Sequence, residues 1–206
     1  MKYTHVVFDV DGTLVDNAYG ILRSLQETVA EFTGETVPFE KLTFCLGIPG
    51  MDTLRQLQLK DQDAAFARWV KLLDGYADTA KLFEGIPELL EALHRAGVTL
   101  GIVTSRKRFI LEQDLPGFGI RHYFGVTVCE EDSLRHKPYG DPLLAYMERA
   151  GAKPGEVLYI GDSIYDFRCA QAAGCDFVLA HWGAGKPLEG AVSCMHPMDV
   201  LRLCDG

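Results

Sequence analysis

The sequence predicts an α/β fold: a Rossmann-like doubly wound parallel sheet interrupted by an inserted α-helical segment. Two observations carry this reading. In the second half of the chain, short apolar runs alternate with amphipathic stretches that each end in a glycine, the rhythm of strand, helix and turn in a parallel sheet. In the first half, the span from Val15 to Val98 contains almost no strand-like run and is far longer than a single crossover requires.

The first strand is the apolar run at residues 6–8, which ends at once in Asp9, Asp11 and Gly12. Further buried strands are expected at residues 99–103, 126–128, 157–160 and 177–180, where β-branched and large apolar residues dominate without alternation. Between them, residues 87–96 carry Leu89, Leu90 and Leu93 at helical spacing with Gly97 as a stop. Residues 142–150 repeat the pattern through Leu143, Leu144 and Met147 before Gly151, and residues 163–173 end at Gly174. In the inserted segment, helices are expected near residues 19–32, 51–57 and 63–80. The first places Ile21, Leu22, Leu25, Val29 and Phe32 near one face. The economical division is an insert over residues 17–82, with residues 82–85 as its return hinge.

Composition narrows the function classes. At 206 residues, with 48 % hydrophobic and 24 % charged residues, the chain is neither disordered nor fibrous. Its size is enough to bury roughly 70 % of the unfolded surface, so no disulfide or metal is needed merely for stability. A net charge of −9 argues against coating a nucleic acid polymer or an anionic membrane, while leaving room for a local cationic pocket. The six cysteines form no CxxC pair, which points to reduced thiols in a cytoplasmic protein rather than a redox dithiol or zinc site. No N-terminal cationic segment precedes a long apolar stretch, so neither a secretion signal nor a membrane span is expected.

Four segments place reactive side chains just after expected strands: Asp9-Val10-Asp11-Gly12-Thr13, Thr104-Ser105, Lys137-Pro138, and Gly161-Asp162-Ser163 with Asp166. In an open parallel sheet the carboxyl ends of the strands share one crevice, so these groups converge although they are distant in sequence. Each alone has an ordinary explanation. Asp9 and Asp11 suit a strand-ending turn, Thr104, Ser105, Asp162 and Ser163 suit helix caps, and Lys137 suits a solvated surface. Together they make a different pattern. Acids crowded in one cleft require a cation, and oxygen ligands without His or Cys favour Mg²⁺ over Zn²⁺. Hydroxyls, amides and a lysine are what a bound phosphoryl group requires, so the constellation points to phosphoryl transfer.

These motifs resemble those of the haloacid dehalogenase-like phosphohydrolases. Asp9 to Asp16 is similar to the family's first motif, Val103-Thr104-Ser105 to the second, Lys137-Pro138 to the third, and Gly161 to Asp166 to the fourth, in order over nearly the whole chain. Within the family the chain is similar to the phosphoglycolate phosphatase and β-phosphoglucomutase branch, whose helical cap follows the first motif. Glu84-Gly85-Ile86-Pro87 resembles that branch's return from cap to core. The resemblance implies a catalytic core of residues 1–16 and 83–206 with a cap domain of residues 17–82. It also implies that Asp9 attacks phosphorus and that Asp11 protonates the leaving oxygen and later takes a proton from water. Asp9, Asp162 and the Asp11 backbone carbonyl would bind Mg²⁺, supported by Asp166. Thr104 and the Ser105 amide would hold phosphate oxygens, and Lys137 would neutralise charge. One departure is Gly140, where relatives often carry a second proline after Lys137-Pro138.

The expected activity is hydrolysis of a small phosphorylated metabolite such as phosphoglycolate, by a monomer or homodimer. A β-phosphoglucomutase-like mutase, a nucleotidase or a pyrophosphatase would use the same core residues, and a non-catalytic interaction protein would have no use for them. Arg55, on a short helix of the insert, is a candidate for holding a distal anion of the substrate. Other motifs fail: a calcium loop would need glycine where Leu14 stands, and Gly183 to Lys186 lacks the first glycine of a P-loop.

Overall fold

Val6, Val7 and Phe8 are all fully buried, as only a strand covered on both faces allows. They form β1 (His5–Phe8) at the middle of the sheet in the computed structural model, which describes residues 2–204. Next come β2 (Val15–Asp16), α1 (Ala18–Thr33), α2 (Phe39–Leu42), α3 (Gly50–Gln56), α4 (Gln62–Asp74) and β3 (Lys81–Leu82). The chain continues through α5 (Ile86–Arg95), β4 (Thr99–Val103), α6 (Arg108–Asp114), β5 (Phe124–Val128) and α7 (Asp141–Ala150). It ends with β6 (Val157–Gly161), α8 (Ile164–Ala173), β7 (Asp176–Ala180), β8 (Val192–Cys194) and α9 (Val200–Cys204).

The main sheet has the order β5-β4-β1-β6-β7-β8, and every pairing in it is parallel. The α/β fold read from the sequence is therefore the observed one. Alternation along β1 builds the two faces. Val6 and Phe8 enter one apolar cluster with Leu89, Leu90 and Leu93 of α5, and Val7 enters another with Leu143 and Tyr146 of α7. Register aligns the strand ends: Phe8 lies beside Ile102 on one side and Ile160 on the other, so the residues that follow emerge at one edge.

The helical segment has its own apolar cluster, in which Leu25, Leu42 and Leu54 are fully buried. Trp69 belongs to it and donates its indole N–H to Ser24 Oγ at 3.0 Å. β2 and β3 pair antiparallel, Val15 opposite Leu82 and Asp16 opposite Lys81, and so draw together the two ends of the segment.

Several boundaries differ from the sequence reading. The helix expected over 63–80 stops at Asp74, where Gly75 follows and the chain passes into a 3₁₀ turn. Strand β8 and the short helices α2, α6 and α9 went unread: β8, α2 and α9 span fewer than two periods of their patterns, and α6 buries only Leu111. Gly140 has a steric reason. It precedes α7, and a Cβ there would lie 2.8 Å from the Ala173 amide nitrogen at the end of α8. Both neighbours are backbone that cannot rotate away, so Gly140→Ala should lower stability by about 1–3 kcal/mol through overpacking. Chemical denaturation checks this, and an unchanged midpoint with unchanged m-value would refute it.

Candidate active site

Strand-end turns position the acids. The Asp9 N–H donates to the Ile160 carbonyl at 2.9 Å, extending the pairing of β1 with β6 by one residue. The chain then wraps around the Val10 carbonyl, which accepts from the N–H groups of Thr13, Leu14 and Val15. Gly12 sits in this loop at φ +73°, and a Cβ would lie 2.4 Å from Asp162 Oδ2. Both the left-handed backbone and the close approach of the fourth motif demand glycine. At the start of α8, Ser163 caps the helix by accepting the Asp166 N–H at 3.3 Å, while Asp166 Oδ2 accepts the Ser163 N–H at 3.1 Å. Ser163 thus takes the capping role, and Asp162 is left at the cleft.

Lys137 ties the segments together. Its ammonium donates to Asp9 Oδ1 at 2.9 Å and lies 2.7 Å from Asp166 Oδ1, with all three side chains buried. The Tyr159 hydroxyl lies 2.8 Å from the same Asp166 oxygen. Oxygens of Asp9, Asp162 and Asp166 all fall within 4.8 Å of one another. This crowding sets the electrostatics. Burial, with the charges of Asp166 and Asp11 against the opposing pull of Lys137, raises the Asp9 carboxyl to about 7. Asp162 is raised well above the usual carboxylate range by burial and then by Asp166 and Asp9. For Lys137, burial opposes the charge, but Asp166 and Asp9 outweigh it and hold the ammonium protonated.

Asp11 is held elsewhere. Its carboxylate accepts from Arg106 Nη2 at 2.6 Å and Nε at 2.8 Å, and from the Asn17 side-chain amide. Burial raises its pKa, but the Arg106 and Asn17 contacts outweigh burial and leave it lowered. The expected role of Asp11 in the metal site concerned its backbone carbonyl, and its side chain is not in the three-carboxylate cluster. Sequence reading missed Arg106, although it directly follows Thr104-Ser105 and a cation there was a visible signal. Thr104 and Ser105 do not cap a helix, because α6 begins only at Arg108. Thr104 Oγ1 accepts the Arg106 N–H at 3.2 Å, and Ser105 Oγ donates to the Gly47 carbonyl at 3.0 Å, joining the sheet edge to the helical segment.

Between them lies a cleft of about 90 Å³, with Asp9, Asp11, Ser105, Arg106 and Lys107 on one side and Ile21, Leu46, Ile48, Phe66 and Trp69 on the other. A larger cavity of about 610 Å³ adjoins it, sharing Val70, Leu73, Arg106 and Ile110 with the cleft, and neither Asp9 nor Asp11 lines it. The structure does not bring Arg55 to the cleft. Its side chain is 65 % exposed and pairs with Asp52 one turn earlier on α3, whose buried residues are Thr53 and Leu54. All six cysteines are buried. Among the described residues, no helix is long and apolar enough to cross a membrane.

The raised Asp9 carboxyl binds its proton more tightly in the folded than in the unfolded chain. Metal-free stability therefore declines as pH rises from the ordinary value of 3.8 through about 7. Asp9→Asn removes that decline while keeping an acceptor for Lys137. Its Tm in chelator should exceed wild type by roughly 3–6 °C at pH 8 and by much less at pH 5. Equal melting temperatures at pH 8 would refute this account of the cluster.

The family model for haloacid dehalogenase-like hydrolases matches residues 6–180. The "Putative pyrophosphatase PpaX" of Caldanaerobacter subterraneus subsp. tengcongensis is 32 % identical over 88 % of this chain and 83 % of its own. A phosphoglycolate phosphatase of Xylella fastidiosa is 30 % identical over 86 % of this chain and 80 % of its own. Among solved structures, a "putative phosphoglycolate phosphatase" from Lactobacillus plantarum superposes with a TM-score of 0.89 at 29 % identity, covering 98 % of this chain and 100 % of that one. With the four motifs gathered at one sheet edge and the match running from β1 to β7, the chain belongs to the haloacid dehalogenase-like hydrolases.

Proposed function

We propose that the protein is a Mg²⁺-dependent phosphatase of small phosphomonoesters with an anionic leaving group, phosphoglycolate being the type, and that it works through an aspartyl phosphate on Asp9. The observation that carries this is the placement of Asp9, at the cleft floor, bound to Lys137 and inside a cluster of three carboxylates. The donor set fits the metal: converging carboxylate oxygens with no imidazole or thiolate suit a hard cation. Asp9, Asp162 and the Asp11 carbonyl would hold it, with Asp166 fixed behind them by Lys137, Tyr159 and Ser163. When bound, Mg²⁺ supplies positive charge against the phosphoryl oxygens.

The chain's own groups divide the remaining work. Asp9 Oδ attacks phosphorus as the bond to the leaving oxygen breaks, and Asp11, having taken up a proton against the pull of Arg106 and Asn17, gives it to that oxygen. Water then attacks the phosphorus of the aspartyl phosphate, passing a proton to Asp11 and releasing phosphate with Asp9 restored. Thr104 Oγ1 accepts the Arg106 N–H, which leaves its own hydroxyl hydrogen free for a phosphate oxygen. The Ser105 amide holds another oxygen, and Lys137 balances charge on Asp9 and phosphate alike. The core would comprise residues 1–16 and 83–206 and the cap residues 17–82, a division supported by the β2–β3 pairing and by the cap's separate apolar cluster.

A panel of phosphoglycolate, pyrophosphate, 5′-nucleotides and hexose phosphates, assayed with and without Mg²⁺, tests this reading alongside rapid-quench labelling. The expected result is label on Asp9, loss of turnover in chelator with recovery on adding Mg²⁺, and kcat/KM at least ~10-fold higher for phosphoglycolate than for hexose phosphates. Label on another residue or full metal-free turnover would overturn the mechanism. Preference for pyrophosphate, or hexose-phosphate turnover that needs a bisphosphate, would overturn the substrate class.

A further inference from the structure

Two cations line the cleft, Arg106 and Lys107, and their situations differ. Arg106 gives Nε and Nη2 to Asp11 and Nη1 to Asp114, so carboxylates already hold the guanidinium on two sides. The Lys107 ammonium lies 5.2 Å from the centre of the Phe66 ring, and among the described residues it pairs with no carboxylate. A ring face attracts an ammonium without neutralising it, so its charge stays available to a further partner.

The place of this ammonium is set from both walls. The Lys107 carbonyl accepts the N–H groups of Ile110 and Leu111 at the start of α6, which fixes the backbone. Across the cleft, the Phe66 ring stands edge-on to Trp69 at 6.5 Å, and a Cβ on Gly50 would lie 2.6 Å from Phe66 Cε2. Glu130 also lines the cleft and senses the Lys107 charge, but makes no salt bridge with it. Elsewhere an anion finds no comparable partner. Asp74 and Asp114 line the adjoining cavity, and the Arg106 found there is committed to its carboxylates. Arg55 is paired with Asp52 outside the cleft.

We propose that the Lys107 ammonium binds an anionic group on the leaving half of the substrate, and that a carboxylate there is the feature by which this cleft selects. The inference deepens the phosphatase reading of the same cleft and rests on it. A carboxylate brought against Lys107 gains a charge-assisted hydrogen bond opposite the apolar side chains of Ile48 and Phe66. A methyl group in its place gains no such bond.

Phosphoglycolate and ethyl phosphate form the test pair, since they match in length and differ in the carboxylate. Wild type should show kcat/KM at least ~10-fold higher on phosphoglycolate. Lys107→Gln should lose about 10-fold on phosphoglycolate and under ~2-fold on ethyl phosphate. Inhibition of ethyl phosphate turnover by glycolate should weaken by the same factor, a readout of binding alone. Lys107→Arg should keep the preference, and Lys107→Glu should move it toward phosphoethanolamine, which carries an ammonium at the same position. Lys107→Gln in a Glu130→Gln background should show the same selective loss. A loss that vanishes in that background would overturn the proposal, because Lys107 would then only balance Glu130. Equal losses on both substrates, or a wild type indifferent to the carboxylate, would also overturn it while leaving the aspartyl phosphate chemistry intact. Wild-type enzyme that turns over neither substrate and carries no label on Asp9 would instead overturn the functional reading beneath it.

Discussion

The buried ammonium of Lys137 is the interaction on which the site depends. Asp9, Asp162 and Asp166 are brought within 4.8 Å of one another, and without a cation their charges would force the strand ends apart or draw in protons. Lys137 arrives from the β5–α7 connection and bonds the nucleophile candidate and the α8 carboxylate together. Removing Lys137 would leave uncompensated carboxylates in a dry place, a costly change. Asp166 shows how closely this is joined to the fold. One of its oxygens completes the capping box of α8, and the other meets Lys137 and Tyr159. A helix start and the electrostatics of the site are fixed by the same carboxylate.

One ammonium does not balance three carboxylates. Burial first, and then the neighbouring carboxylates, push Asp9 and Asp162 upward even with Lys137 present, and the three converging carboxylates could coordinate a divalent cation. Asp11 escapes this competition because Arg106 neutralises it separately. Two charge systems thus stand side by side at one sheet edge. Acids outnumber the ammonium in the first, and a guanidinium lies between two carboxylates in the second. In the proposed mechanism the first would stabilise charge at phosphorus and Asp11 of the second would handle the proton at the leaving oxygen.

The parts of the structure visible in the sequence were those with a local signature. The buried strands show as apolar runs, and the acids stand at fixed offsets behind them, so the sheet and the convergence of Asp9, Thr104, Lys137 and Asp162 were readable. Short elements were not, since the three residues of β8 and the four of α2 span fewer than two periods of their own patterns. Direction was also hidden. Arg55 and Arg106 are both arginines near expected loops, but a nearby acid decides their fates: Asp52 captures Arg55 on the outside of α3, while Asp11 and Asp114 draw Arg106 inside. The first is an i,i+3 pair within one helix, which spacing along the chain does show, while the pairing of Arg106 with Asp11 depends on tertiary distance, which spacing does not encode. The steric need for Gly140 was likewise invisible, because the obstructing atoms belong to α8.

The cleft divides its labour between its walls. The helical segment contributes Ile21, Leu46, Ile48, Phe66 and Trp69, side chains without formal charge, and the sheet edge contributes Arg106, Lys107 and the acids. Lys107 even rests its ammonium 5.2 Å from the centre of the Phe66 ring, a contact that brings the two walls together without a salt bridge. An apolar wall cannot distinguish substrates by strong directional bonds. It selects by size and by excluding water, and a dry cleft strengthens every charge on the opposite wall. Gly47 makes the approach possible: its φ is +92°, a Cβ would lie 2.9 Å from Ser163 Oγ, and its carbonyl accepts from Ser105. Evolution of a new substrate preference on this scaffold therefore has an open route through the apolar wall. The charged wall is constrained by buried ion pairs, where any single change disturbs several partners at once.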